Sequence, residues 1–238
     1  LPRGKRTCVN CANGGREIGV LFSSAVMRPP TDYDGTTLPA EAEEGDPRAP
    51  AMMICARLAG RAIIRVVSRC EDAQENSQLD LSECQLMQVP DAVYHLMRHT
   101  ELKSCDLSGN VITKIPPKFT VKFSLITDLN LSNNQIAKLP DELCTLACLQ
   151  RLDISHNTFV ALPAIACQCP SLHTLLAHHN QIIEVDVDRL ARSRALEYVD
   201  LSDNPIPPRT YEELKQLSRP SMSISEREKE DWEEDLIM

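Results

Sequence analysis

The chain has 238 residues, 42% of them hydrophobic, so it can bury a substantial core in one domain with tails or in two small domains. Its formal net charge of −9 argues against a nucleic-acid partner, because phosphate binding needs a basic surface. No stretch approaches the about 18 apolar residues of a transmembrane helix, so we expect no membrane span.

Residues 1–50 lack hydrophobic periodicity and are rich in Pro, Gly and Ala, which predicts a disordered N-terminal extension. The apolar run 18–22 is short for a signal-peptide core. Because Met52 and Met53 stand at the start of the first predicted helical segment, just before its amphipathic stretch 56–75, we expect the compact protein to begin near Met52. The ten cysteines are then expected to be reduced thiols in the cytoplasm or the nucleus.

Residues 51–75 are predicted to form an amphipathic helix that covers the N-terminal end of the segment after it. At helical spacing, apolar side chains fall on one side and arginines on another; the arginines are Arg57, Arg61, Arg65 and Arg69. A basic helix on a membrane surface is the alternative, but such helices usually carry aromatic anchors, which this one lacks.

Residues 76–217 repeat the pattern of the stretch LNLSNNQI six times. An asparagine, or a cysteine in the first copy, occupies the same position of each copy, which we call the asparagine slot: Cys84, Asn110, Asn134, Asn157, Asn180 and Asn204. Successive slots are 26, 24, 23, 23 and 24 residues apart. A fixed period in this range is typical of a solenoid, in which each repeat packs against its neighbours.

The spacing within a copy predicts a short strand with two inward-pointing leucines, followed by a turn away from the strand. A buried asparagine side chain can satisfy backbone groups that this turn leaves unpaired, since it has two donors and an acceptor. In four copies a proline follows, at Pro90, Pro116, Pro140 and Pro163, and we expect it to fix φ on the outer arc and to block helix propagation there. Residues 207–217, with the stretch from Tyr211 to Leu217 helical, are expected to close the array.

The unit L-x-x-L-x-L-x-x-N/C-x-L, repeated in this way, resembles the leucine-rich repeat family, and in particular its short intracellular members. The resemblance covers about residues 56–206. It implies an α/β fold: a curved solenoid with parallel strands on the concave face, turns or short helices on the convex face, and a helical cap. It also implies that the protein binds other proteins, and it brings no catalytic residues.

The exposed position between the two strand leucines is predicted to form a column across the concave face, about 4.8 Å per strand. We call it the second column: Asp80, Asp106, Asn130, Asp153, Leu176 and Asp200. It is mostly acidic, which is consistent with a merely soluble surface or with docking of a basic peptide or helix. The predicted protein-binding residues are Asp106, Asn130, Asp153, Leu176, Tyr198 and Asp200, with Leu176 as an apolar anchor flanked by His173 and Tyr198.

Two further slots follow the second column. The serine slot contains Ser82, Ser108, Ser132, Ser155, His178 and Ser202, and the pre-asparagine slot contains Glu83, Gly109, Asn133, His156, His179 and Asp203. His156, His179 and Asp203 are candidate metal ligands by residue type, but polar loop residues are common in such repeats, so the sequence predicts no metal site.

The sequence also predicts no catalysis and no cofactor. Ser155, His178 and Asp200 or Asp203 contain the residue types of a hydrolase triad, but an open concave sheet offers no water-excluding pocket. Nucleotide-binding and metalloprotease motifs are absent from the sequence.

Residues 218–238 are predicted to be an acidic, mostly disordered tail, with Trp232 as a potential anchor for a partner. Taken together, the features predict a monomeric protein-binding scaffold of the cytoplasm, with a role in signal transduction, whose concave face holds a protein with a basic surface. The alternative is a regulatory subunit or adaptor that acts through the tail or the helix at 51–75, and a histidine-rich metal-binding protein is a weaker one.

Overall fold

The computed structural model describes residues 49–226, and side chains from residue 62 onward. Seven strands form one parallel sheet in chain order. They are β1 (Gln78–Asp80), β2 (Ser104–Asp106), β3 (Asp128–Asn130), β4 (Arg151–Asp153), β5 (Thr174–Leu176), β6 (Tyr198–Asp200) and β7 (Ser221–Ser223). The helical segments are Ala49–Asn76, Asp91–Leu96, Pro117–Lys122, Val187–Arg192 and Pro208–Lys215, with 3-10 turns at Asp141–Thr145 and Ala166–Gln168.

The buried core runs between the strand wall and the helical side. The middle residue of each of the first six strands is fully or almost fully buried: Leu79, Cys105, Leu129, Leu152, Leu175 and Val199. These residues are directly paired between neighbouring strands, so each repeat covers the apolar side chains of the next. The predicted α/β solenoid, with parallel strands on one face and short helices on the other, is confirmed.

The asparagine side chains join each repeat to the one before it. Asn157 Nδ2 donates to the carbonyl of Leu131 in the preceding repeat at 2.9 Å, and to the carbonyls of Ile154 and Ser155 in its own repeat. Its Oδ1 accepts from the amide of Ile136, again in the preceding repeat, at 2.9 Å. Asn110, Asn134, Asn180 and Asn204 repeat this set of bonds. The groups they pair are mostly buried backbone groups that no strand or helix would otherwise satisfy.

The cap helix (Ala49–Asn76) extends slightly beyond the predicted range 51–75 at both ends. Val66, Cys70 and Ala73 are buried against the first repeat. The guanidinium of Arg69 donates to the carbonyl of Ser82 at 2.6 Å and lies 3.5 Å from Cys84 Sγ. The first repeat has no earlier repeat for an asparagine to join, and its slot holds a cysteine whose surroundings are filled by the cap helix.

The expectation that proline fixes φ on the outer arc is confirmed, but the expectation that it blocks helix propagation is wrong for the residues that follow it. Pro90, Pro116 and Pro140 each stand directly before a helical segment, with φ between −64° and −73° and extended ψ. Proline is well tolerated at the start of a helix, where the missing N–H has no intrahelical partner in any case. Here it therefore positions the start of the convex turn instead of preventing it.

The array continues for one strand beyond the predicted limit, which corrects the proposed boundary of the acidic tail at residue 218. β7 pairs in parallel with β6, so that Met222 is opposite Val199, and the amide of Leu201 donates to the carbonyl of Ser223 at 2.8 Å. Residues 218–226 thus form a partial seventh repeat. The predictions for residues 1–48, and for the tail from residue 227 onward including Trp232, lie outside the described residues.

The asparagine bonds generate a first prediction. Asn157→Ala leaves buried carbonyls and an amide without partners, so we expect it to lower the free energy of unfolding by about 3 kcal/mol. Cys84→Ala is the matched control, because it removes only a small buried side chain that joins no earlier repeat, and about 1 kcal/mol or less is expected. Urea denaturation of both variants measures the difference; equal losses would contradict the role assigned to the asparagines.

Strand β7 generates a second prediction. A chain shortened to end at Leu217 loses the ladder bonds to β6 and the cover over Val199, so we expect about 2 kcal/mol less stability. A chain ending at Glu226 keeps β7 and is the control, with a stability equal to that of the full chain. Thermal or urea unfolding compares the three, and indistinguishable midpoints would show that β7 contributes nothing to the fold.

Candidate functional site

The concave wall exposes two columns of side chains, one on each side of the buried leucines. The second column continues through Ser223 of β7. Directly before the buried position lies the first column: Gln78, Ser104, Asp128, Arg151, Thr174, Tyr198 and Ser221. Since neighbouring members are paired residue by residue, the wall presents a regular grid of side chains to solvent.

The carboxylates of the second column are not free, which the sequence analysis missed. Asp153 Oδ1 accepts from the amide of Ser155 at 3.0 Å and from its hydroxyl at 2.7 Å. Asp80 and Asp200 make the same pair of bonds with Ser82 and Ser202. Asp106 and Asn130 bond to the amide of the corresponding serine. One oxygen of each of these side chains therefore holds the turn after the strand. Asp106 Oδ2 in addition accepts from Asn130 Nδ2 at 3.0 Å, so the second carboxylate oxygen is left open to a partner at Asp80, Asp153 and Asp200.

The most acidic part of the wall lies on β2, β3 and β4, and it contains Asp106, Asp128 and Asp153 together with one basic side chain, Arg151, which is paired with Asp128. Burial, and then the charges of Asp153 and Asp106, raise the pKa of Asp128, while Arg151 opposes the rise. Arg151 Nη2 lies 3.8 Å from Asp153 Oδ2. At the N-terminal end, Arg69 pairs with Asp80 at 3.2 Å. The face is thus acidic but less negative than its aspartates alone suggest.

An apolar part of the wall lies on β5 and β6. Leu176 is half-buried between Asp153 and Asp200 in the neighbouring strands. Tyr198 is 37% exposed and pairs with Thr174 in the first column. Leu176 and Tyr198 therefore both lie on the concave wall, diagonal to each other and next to the acidic part.

Three histidines meet where the turns leave β4 and β5. The ring nitrogens of His156, His178 and His179 that could bind a metal all lie within 4.8 Å of one another. The His156 and His179 rings stack with centroids 4.3 Å apart, and His178 meets both edge to face. Burial, and the positive charges that His179 and His178 carry when protonated, hold the pKa of His156 below its usual value.

The backbone partly explains these residue types. Every member of the pre-asparagine slot has positive φ, including His156 and His179 at 51° and Gly109 at 64°. Glycine, asparagine, aspartate and histidine are the residues that adopt this left-handed conformation most readily.

Of the metal-ligand candidates that the sequence suggested, His156 and His179 lie close together, and Asp203 Oδ2 lies 3.4 Å from His179 Nδ1. His178 was missed because it belongs to the neighbouring slot.

The serine of the hydrolase-like combination is engaged elsewhere. Ser155 is 3% exposed, and its hydroxyl donates to Asp153. Among the described residues this hydroxyl makes no hydrogen bond to a histidine, so no histidine is placed to act as a base on Ser155. Within residues 49–226, no helix is both long enough and apolar enough to cross a membrane.

The comparisons with known proteins agree with this architecture. The family model described as leucine rich repeat matches residues 100–159. Leucine-rich repeat-containing protein 20 of Homo sapiens is 31% identical over 95 residues, which are 38% of this chain and 52% of the human protein. The protein of the same name from Mus musculus is 40% identical over 154 residues, which are 63% of this chain and 84% of the mouse protein.

Solved structures show the same fold. An LRR protein of Leptospira interrogans superposes with a TM-score of 0.51 at 30% identity, covering 60% of this chain and 35% of that one. TLR13, in its complex with ssRNA13, superposes with a TM-score of 0.52 at 23% identity, covering 63% of this chain and 21% of that one, a likeness of fold alone. Repeat spacing, strand stacking and the coverage of the mouse relative together show that the chain belongs to the leucine-rich repeat family and is similar, within it, to leucine-rich repeat-containing protein 20.

Proposed function

We propose that this chain is a non-catalytic scaffold inside the cell whose concave wall binds a protein with a basic surface. Leucine-rich repeats commonly serve as protein-binding modules, and proteins of this family generally act by binding. The observation that carries the proposal is the arrangement of an acidic part on β2–β4 directly beside the apolar anchors Leu176 and Tyr198. Monomeric state and a cytoplasmic or nuclear location belong to the same proposal.

The charges favour one kind of partner. Lysine or arginine side chains of a peptide or helix can reach Asp128 and the carboxylate oxygen of Asp153 that the turn leaves free. Asp106 adds its charge, although its second oxygen also accepts from Asn130 Nδ2. Complementary charge steers the approach of a partner and fixes its orientation more than it adds affinity. Affinity is expected to come from an apolar side chain of the partner that buries Leu176 and Tyr198, since aromatic anchors dominate many interfaces.

The rigidity of the concave wall supports a role in binding. The leucine core and the asparagine hydrogen bonds hold the strands in place, so the backbone under the exposed side chains is ordered before a partner binds. Preorganisation of this kind lowers the entropic cost of binding.

The adaptor that acts through the cap helix is a second candidate, favoured by one observation. Ile64 is 69% exposed on that helix, next to Arg65, and no residue of the described part covers it. An exposed apolar residue beside basic ones can contact a partner helix, although a single exposed apolar residue is common on protein surfaces.

A charge-removal experiment tests the first proposal. Asp106→Asn, Asp153→Asn and Asp200→Asn together remove three charges while keeping the turn acceptors, as Asn130 does in the native third repeat. The matched control neutralises three exposed acids away from the concave wall, Glu101→Gln, Glu184→Gln and Glu212→Gln. The readout is binding of a synthetic amphipathic peptide that carries lysines and one leucine, measured by fluorescence anisotropy.

We expect the concave variant to bind about tenfold more weakly than the native chain, and the control variant to bind as the native chain does. Binding should weaken with added salt, because exposed charges are screened over about 10 Å at 0.1 M. Equal binding by both variants would overturn the proposal. Loss of binding on Ile64→Glu, or on removal of residues 227–238, with the concave variant unaffected, would instead support the adaptor.

A further inference from the structure

We propose that His156, His178 and His179 form a binding site for one divalent transition metal of the zinc class. Imidazole nitrogens are the protein ligands that zinc and its neighbours favour. His178 Nδ1 and His179 Nδ1 lie 3.1 Å apart. A tetrahedral zinc with Zn–N bonds of about 2.0–2.1 Å needs its ligand nitrogens about 3.3 Å apart, so this pair is close to a binding arrangement.

The third nitrogen, from His156, lies within the same 4.8 Å group, so a small rotation of exposed rings brings it into range. Three histidine ligands leave a fourth position for water or for another ligand, as in the open zinc sites of proteins. The proposal does not depend on the concave wall binding a protein.

The backbone under the cluster is already fixed. The amide of His156 donates to the carbonyl of His178, and the amide of His179 donates to the carbonyl of Ser202, each at 3.0 Å. These bonds belong to the ladder that stacks the fourth, fifth and sixth repeats. The distance between the histidine Cα atoms is therefore set by the solenoid and not by a flexible loop.

The left-handed backbone conformation accounts for a histidine at position 156 and, separately, for one at position 179. It does not account for His178, which lies outside the pre-asparagine slot. In the other complete repeats this slot is a serine, whose amide bonds to the aspartate or asparagine of the second column. The fifth repeat breaks this pattern twice, since Leu176 replaces the acceptor and His178 replaces the serine. The second of these replacements, His178, completes the histidine cluster.

Asp203 adds negative charge beside the cluster. Its Oδ2 lies 3.4 Å from His179 Nδ1, while its Oδ1 accepts from the hydroxyl of Ser225 at 3.1 Å. The serine, just after β7, thus turns the other carboxylate oxygen towards the histidines. Because the carboxylate approaches the same Nδ1 that would bind the metal, it adds a favourable negative charge beside a bound cation and can itself act as a zinc ligand. Residues of the fourth, fifth and sixth repeats would then be joined through one ion.

The test uses the full chain, stripped of metal with a chelator and then titrated with zinc chloride by calorimetry. The variants carry residues that the same slots hold in other repeats: His178→Ser, as in Ser132, and His156→Asn and His179→Asn, as in Asn133. These residues suit the local backbone, so folding should be preserved. His99→Asn, on a histidine outside the cluster, is the control.

We expect one zinc ion per chain, binding at least about tenfold more weakly in each cluster variant, and unchanged binding in the control. Asp203→Asn should weaken binding by about tenfold, because it removes a negative charge beside the bound cation. Cobalt(II) supplies a spectroscopic readout, since histidine and carboxylate ligands give d–d bands without the intense thiolate charge-transfer band. No binding, equal binding in all variants, or a thiolate band in the cobalt complex would overturn the proposal.

Discussion

The hydrogen bonds of the asparagine side chains between neighbouring repeats are the interaction on which the rest of the structure depends. Apolar packing drives the repeats together, but packing alone does not fix how far one repeat slides or rotates against the next. Asn134, for example, donates to the carbonyl of Leu107 and accepts from the amide of Ile112, so it ties two places of the preceding repeat to its own turn. The position of each repeat is therefore fixed relative to the repeat before it.

That fixed stacking determines what can happen at the surface. The turn after each strand is held by an acceptor in the second column and, beyond it, by a left-handed residue in the pre-asparagine slot. Side chains at equivalent positions of successive repeats therefore lie next to one another. A change of residue type in one repeat thus places the new side chain beside the equivalent side chain of the neighbouring repeat. Acidic side chains gather on β2–β4, and histidines gather at the end of β4 and β5.

Much of the fold could be predicted because its cause is local and repeated. Leu129, Leu131 and Asn134 each occupy a position that recurs every 23 to 26 residues, so stacking follows from the sequence. β7 could not be found in this way, because Ser221–Ser223 carries Met222 in place of leucine and belongs to no full copy of the pattern. The role of proline was misjudged because Pro90 and Pro116 were considered without the helical turns that follow them.

The site was predictable in outline only. Residue spacing placed Asp153 and Leu176 in one exposed column, but it did not show that Asp153 Oδ1 is occupied by Ser155. It also assigned His178 to a different slot from His156 and His179, although the rings meet across that boundary because side chains near a turn leave the strict alternation of the strand.

Native-state hydrogen exchange of the backbone amides tests the central claim most directly. The amides of Ile112, Ile136 and Ile182 lie outside the strands and are held by asparagine oxygens of the following repeats. If the asparagine side chains hold neighbouring repeats together, these amides exchange as slowly as those of the neighbouring strands, since their hydrogen bonds open only when repeats separate. Exchange at the rate of exposed loop amides, with the strands still protected, would contradict it.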